Sequence, residues 1–180
     1  LADASPDTAI LGASVVSPDG TPEPASRRTV PTPAIAFARL FGKFGATRLA
    51  RAPAYNVTLP DDGPAPEVGA VSGSFLLLRR SAFDQLNGFD ERFFLYAEDL
   101  DLCHRARTAG WEVRSTARAV AVHHKHVCAA QAPYRALWHF YRTMILFHRK
   151  HFARESSALV NLAVYAGVAV LFVARVVHVA

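Results

Sequence analysis

The sequence predicts an α/β domain that passes, near residue 132, into two C-terminal helices. Three observations carry this reading. Short β-prone apolar runs and turn signals surround a helix led by carboxylates over the first two-thirds of the chain. A stretch of helical periodicity then begins at Pro133, and after it come 17 residues without a charge. With 180 residues, 51% apolar and 19% charged, the chain can build a packed core and is excluded from the disordered class.

Taken in order, Ala9–Val16 reads as a strand closed by the turn Pro18-Asp19-Gly20-Thr21. Pro22, Pro24, Pro31 and Pro33 make the next segment an irregular loop. Ala34–Phe41 reads as a short helix ended by Gly42, and Pro53–Pro66 as a loop. Phe75–Leu78 is a continuous apolar run, expected of a strand buried on both faces. Ser81-Ala82-Phe83-Asp84 predicts a capping box opening a short helix, which Asn87-Gly88 ends through a left-handed residue. A loop carrying Phe93, Phe94 and Tyr96 follows.

Glu98–Ala109 reads as a helix with Glu98, Asp99 and Asp101 in its first turn, Arg105 and Arg107 near its end, and Gly110 as C-cap. Both charge placements suit the helix dipole. Trp111–Ser115 and Ala119–Val122 read as two short strands. From Pro133 to about Phe152, Tyr134, Leu137, Trp138, Tyr141, Met144 and Ile145 share one helical face, and Arg135, His139, Arg142 and Arg149 another. Ala158–Ala174 is broken only by Asn161 and Tyr165, and Arg149, Lys150 and Arg154 precede it. It reads as a membrane-associated helix of borderline spanning length, a buried helix being the other reading.

Charge is distributed unevenly. Residues 1–101 carry 9 Lys and Arg against 13 Asp and Glu, whereas residues 102–180 carry 11 against 2 and hold all eight histidines. The second half therefore points to a polyanionic partner, such as a phosphorylated substrate or an anionic membrane surface. Nucleic acid is disfavoured, because the basic residues are interleaved with an apolar tail and no recognition module is present. Cys103 and Cys128 have neither the number for a disulfide framework nor zinc-ligand spacing.

The chemistry concentrates in Val71–Trp111. Consecutive helical residues point about 100° apart, so Glu98 and Asp99 cannot face one direction. One can face a cleft while the other caps the helix or pairs with a base. Asp101 is placed to pair with Arg105 four residues on.

The ordered set Ser72-Gly73-Ser74-Phe75, Arg79-Arg80, Gly88-Phe89-Asp90-Glu91, Phe93-Phe94, Tyr96-Ala97-Glu98-Asp99-Leu100-Asp101-Leu102, Arg105 and Ala109-Gly110-Trp111 resembles a known family. It is the C-terminal half of the catalytic domain of family-2 inverting glycosyltransferases with a GT-A fold, in the rhamnosyltransferase-like branch. Ala9–Val16, Ser26-Arg27-Arg28, Val122-His123 and Gln131–Ala136 extend the likeness over roughly residues 8–152.

The resemblance implies a mixed sheet with flanking helices in residues 1–132, an amphipathic helix in 133–155 and an apolar membrane-associated helix in 156–180. It implies transfer of a sugar, rhamnose among the candidates, from a nucleotide-diphosphate donor to a saccharide or polyprenyl-linked acceptor at the cytoplasmic face of the membrane. The catalytic base maps onto Asp99, with Glu98 second. Gly73, Ser74 and Arg80 match substrate-contact positions, and Phe94, Tyr96 and Trp111 are candidates to flank an acceptor. His123 matches a histidine that ligates a divalent metal, Mg or Mn, or contacts the diphosphate.

Two departures stand out. Lys125, His126, Val127 and Cys128 occupy positions where the family carries glycine and hydroxyl residues, and no Asp-x-Asp motif follows a buried strand before Val68. The chain is accordingly expected to be the C-terminal part of a longer enzyme, the nucleotide-binding half lying elsewhere. The alternative is a non-catalytic, membrane-anchored module derived from that fold.

Overall fold

The computed structural model describes residues 5–35, 55–57, 65–124 and 132–179. The described residues form two compact units. One is drawn from Leu1–Val30, Pro53–Asp90 and Glu98–Lys125, the other from Pro31–Ala52, Glu91–Ala97 and His126–Ala180.

In the first unit, β1 (Thr8–Val16) is the central strand, and Ala9, Ile10, Ala13 and Val15 on it are buried. It pairs antiparallel with β4 (Leu76–Leu78), Ile10 opposite Leu78, and parallel with β5 (Glu112–Val122), Thr8 opposite Glu112. The sheet is therefore mixed, in the order β4-β1-β5. Between Ala13 and Ser14 the partner on β5 jumps from Thr116 to Val120. The two short strands expected here are thus one strand with an irregularity in its middle. A second pair, β2 (Arg27–Arg28) with β3 (Ala70–Val71), lies over β1. Gly12 permits that approach, since a Cβ there would stand 2.6 Å from the Cβ of Val71.

β4 corrects one expectation. Its apolar run is not buried on both faces: Leu77 is 45% exposed, because β4 is an edge strand whose partner among the described residues is β1. The capping box is also absent. α1 (Arg80–Gln85) has Arg79 as N-cap with no side-chain cap, and Asp84 pairs with Arg80 instead. Asn87 does adopt the left-handed conformation that ends the turn.

α2 (Glu98–Thr108) buries Leu100, Leu102, Cys103 and Ala106, with Val71 and Val113 also in the core. Burial pushes the Cys103 thiol up to about 12, so it packs as an apolar group rather than reacting. Arg105 makes the expected pair with Asp101 (2.8 Å), and also donates to the carbonyls of Leu86 (2.6 Å) and Gly88 (2.7 Å). One arginine thereby joins the first turn of α2 to the chain leaving α1.

The second unit consists of α3 (Pro133–His151), α4 (Ala158–Val179) and the segments that pack with them. Its membership differs from the expected partition at residues 132 and 155: loop 91–97 belongs with the C-terminal helices. Phe93 is buried edge-on to Phe147, and Tyr96 meets Phe140 edge-on at 5.5 Å. α3 buries only part of its aromatic face. Ala136, Thr143, Phe147 and His148 are buried with Tyr141, whereas Tyr134 and Trp138 are exposed. The expected helix over Ala34–Phe41 and loop over Pro53–Pro66 lie largely outside the described residues, as do Lys125, His126 and Cys128.

Candidate active site

The site lies in the first unit, where α2 begins against β2, β3 and the Ser72–Ser74 loop. Backbone pairing of Arg27 with Val71 and Arg28 with Ala70, and the Ser72 N–H donated to the Ser26 carbonyl (3.0 Å), bring these segments together. Asp99 is buried in the resulting corner. Its Oδ2 accepts from the Arg28 guanidinium and from the Gly73 N–H (2.8 Å), and its Oδ1 accepts from the Leu100 N–H (2.7 Å). Arg28 donates through the same nitrogen to the Val71 carbonyl (2.9 Å). Burial opposes the charge on Arg28, but Asp99 and Tyr55 outweigh it and its pKa lies above the ordinary value.

This geometry departs from the expectation that placed the base first on Asp99. About three of the four lone-pair sites of that carboxylate are taken, and its side chain is 9% exposed. A base needs an oxygen free to meet the acceptor hydroxyl. Asp99 instead fixes the Gly73 loop to the head of α2.

Glu98 has what Asp99 lacks. Its Oε2 is buried and has no hydrogen-bond partner among the described residues. Burial, and then the neighbouring charge of Asp99, push its pKa above the ordinary carboxylate value. The carboxylate stands beside Gly73, where an added Cβ would come within 3.2 Å of Oε1. The divergence of Glu98 and Asp99 that helical geometry requires is realised.

The same loop reaches His123. Its backbone N–H donates to the Val16 carbonyl (2.8 Å). Its Nδ1 lies 3.1 Å from the buried carboxylate of Glu23 and 3.4 Å from Ser74 Oγ, which in turn meets Ser72 Oγ at 2.8 Å. A carboxylate only accepts, so this pairing puts the ring proton on Nδ1 and leaves Nε2 with the open lone pair. Among the described residues no three His, Cys, Asp or Glu side chains converge to hold a metal ion. They do not by themselves make a metal cage; His123 offers a single nitrogen.

Of the expected residues, Glu98, Asp99, Gly73, Ser74 and His123 are brought together. Arg80 is not: its side chain is 87% exposed and ion-paired with Asp84. Trp111 follows the far end of α2, a helix about 16 Å long, and donates its indole N–H to Gln85 (3.0 Å). Phe94 and Tyr96 belong to the second unit, where Phe94 packs on His139 with Arg135 over its ring. Two residues escape sequence reasoning. Arg28 carries a signal, a basic pair within an acidic half of the chain; Glu23 carries none, being 100 positions from its partner.

The mixed sheet flanked by helices is the scaffold that the resemblance to glycosyltransferases implies. The sequence relationships are to rhamnosyltransferases. The chain is 34% identical over 142 residues to the N-acetylglucosaminyl-diphospho-decaprenol L-rhamnosyltransferase of Mycobacterium tuberculosis, in strains CDC 1551 and H37Rv alike. That match covers 79% of this chain and 46% of the relative, so the chain spans under half the length of these relatives. It is 44% identical over 55 residues to the rhamnosyltransferase WbbL of Escherichia coli K12, covering 31% of this chain and 21% of that one. The O-antigen biosynthesis protein RfbC of Myxococcus xanthus is 38% identical over 56 residues, covering 31% of this chain and 4% of RfbC. No family model matches the chain, and no solved structure matches it.

Proposed function

We propose that this chain supplies the acceptor-activating part of an inverting glycosyltransferase, with rhamnose as the transferred sugar and a lipid-linked saccharide as the acceptor. The sugar and acceptor follow from the names of its relatives. The acceptor oxygen attacks the anomeric carbon from the face opposite the nucleotide diphosphate. The C–O bond to the diphosphate breaks as the new one forms, and the acceptor proton passes to a carboxylate. A carboxylate becomes strong enough for this only as the attacking oxygen acidifies in the transition state.

The observation that carries the reading is the unpartnered Oε2 of Glu98 beside the Gly73 loop. Glu98 is therefore the base and Asp99 the residue that positions it. His123, its Nε2 lone pair left open by Glu23, would offer one ligand to a divalent metal at the leaving diphosphate. The basic second half and the apolar helix 158–179 hold the enzyme at the cytoplasmic face of the membrane, near the lipid acceptor.

In the full-length enzyme, Glu98→Gln is expected to lower kcat roughly 10²–10⁴-fold with the fold retained by circular dichroism. Asp99→Asn is expected to lose activity together with thermal stability, because it leaves Arg28 buried and poorly paired. Undiminished turnover in Glu98→Gln returns the base to Asp99.

A further inference from the structure

We propose that α3 and α4 dock together, lying flat, on an anionic bilayer surface, and that α4 does not cross it. The proposal rests on the membrane reading above and fixes how the membrane is met.

α4 presents one wholly apolar exposed face. Leu159, Leu162, Ala166, Val170, Val173 and Val177 fall at spacings of three and four, and all are exposed. No polar residue shares that face. Asn161 and Tyr165 point instead at α3, and the exposed Arg175 falls off that apolar face near the C-terminal end of the helix. Asn161 Oδ1 lies 2.7 Å from His148 Nε2, its amide donates to the Ala153 carbonyl (2.9 Å), and Tyr165 meets the His148 ring edge-on. A helix in water buries the opposite face. Ala158–Val177 is long and apolar enough to cross a membrane by length and composition, so a spanning helix is the competing arrangement.

Packing on α3 decides between them. His148 meets Asn161 and Tyr165, while Tyr141 and Trp138 meet Phe172, so α4 runs antiparallel along α3. If α4 crossed the hydrocarbon, these contacts would draw α3 in beside it. α3 exposes Arg135, Arg142 and Arg149 along its length, and Arg154 and Glu155 occupy the corner between the helices. Charges at that depth are strongly disfavoured. Laid in the interface, the apolar face of α4 meets acyl chains while the arginines of α3 stay at headgroup level. Trp138, 55% exposed and edge-on to Phe172, stands at the seam, where indoles favour the membrane interface.

Charge selects the kind of surface. Residues 132–179 contain six Lys and Arg and one acid, Glu155. The partner is therefore a bilayer rich in anionic headgroups.

The test uses full-length protein in two measurements that need no sugar transfer, so its outcome is separate from that of Glu98→Gln. In flotation with phosphatidylcholine vesicles, wild type is expected to float when phosphatidylglycerol is included and to dissociate as salt is raised. Arg135→Glu with Arg142→Glu, both surface residues, is expected to lower the floating fraction at least about tenfold. In cells, a C-terminal epitope is expected to be digested by external protease in inverted membrane vesicles and protected in spheroplasts. An epitope reached only in spheroplasts means that α4 crosses the membrane and overturns the proposal. Wild-type protein that stays at the bottom of the gradient with anionic vesicles also overturns it, and a dimer by light scattering would then identify a second copy as what covers α4.

Discussion

At the level of single residues, the decisive feature is that two adjacent carboxylates have unlike surroundings. Asp99 is saturated by Arg28, Gly73 and Leu100, whereas Glu98 is desolvated and short of a partner. Because the pKa of Glu98 is raised in the fold, ionising it costs stability, and that cost grows as pH rises through its folded value. Glu98→Gln is therefore expected to stabilise the enzyme at neutral pH, by roughly 0.5–1 kcal/mol, while removing activity; paired thermal melts and rate assays check both halves. For the same reason the acid limb of the kcat/KM profile should lie above the ordinary carboxylate value of 4.5 and vanish in that variant. Gly73→Ala places a methyl 3.2 Å from Glu98 Oε1. A large fall in kcat with little change in melting temperature is expected, since the carboxylate swings away more easily than the loop moves. Helical geometry made it legible in the sequence that the two carboxylates diverge. Which one is left short of a partner was not legible, because that depends on Arg28, a residue 71 positions away.

Among the elements, the entry to α2 is under tension. Tyr96 and Ala97 both adopt left-handed backbone angles, φ 68° and 62°, which cost a residue bearing a Cβ about 1 kcal/mol or more. Ala97→Gly is expected to raise stability by about 1 kcal/mol and yet to lower kcat, as the helix head that aims Glu98 gains freedom; denaturant melts and initial rates separate the two. Local signals found most elements here. Acidic and basic ends marked α2, Gly110 marked its stop, and a β-prone apolar run closed by a turn marked β1. Local signals failed where tertiary partners decide. Phe75–Leu78 looked like a central strand and became an edge, and Ser81–Asp84 looked like a cap although Arg80 claimed Asp84. Periodicity marked the aromatic face of α3 but not which of its residues are buried: Tyr134 and Trp138 are exposed.

On the scale of the whole molecule, the Glu98–Asp99 corner and the helices proposed to meet the membrane belong to different units. Substituting Leu162 and Val170 with serine is expected to raise KM for a lipid-linked acceptor roughly tenfold, by lost surface binding, while donor hydrolysis in the absence of acceptor stays unchanged; a two-substrate kinetic series measures this. The fold class and most of the site were legible because the ordered motif from Ser72 to Trp111 is dense. The partition into units was not, since loop 91–97 joins helices forty residues further along. The bond between Arg28 and Asp99 also sets a timetable for the newborn polypeptide. Its two ends are 71 residues apart, and such distant ends meet only after the intervening loop has closed. The ribosome can therefore release a long stretch of this protein while the corner around Asp99 is still unassembled.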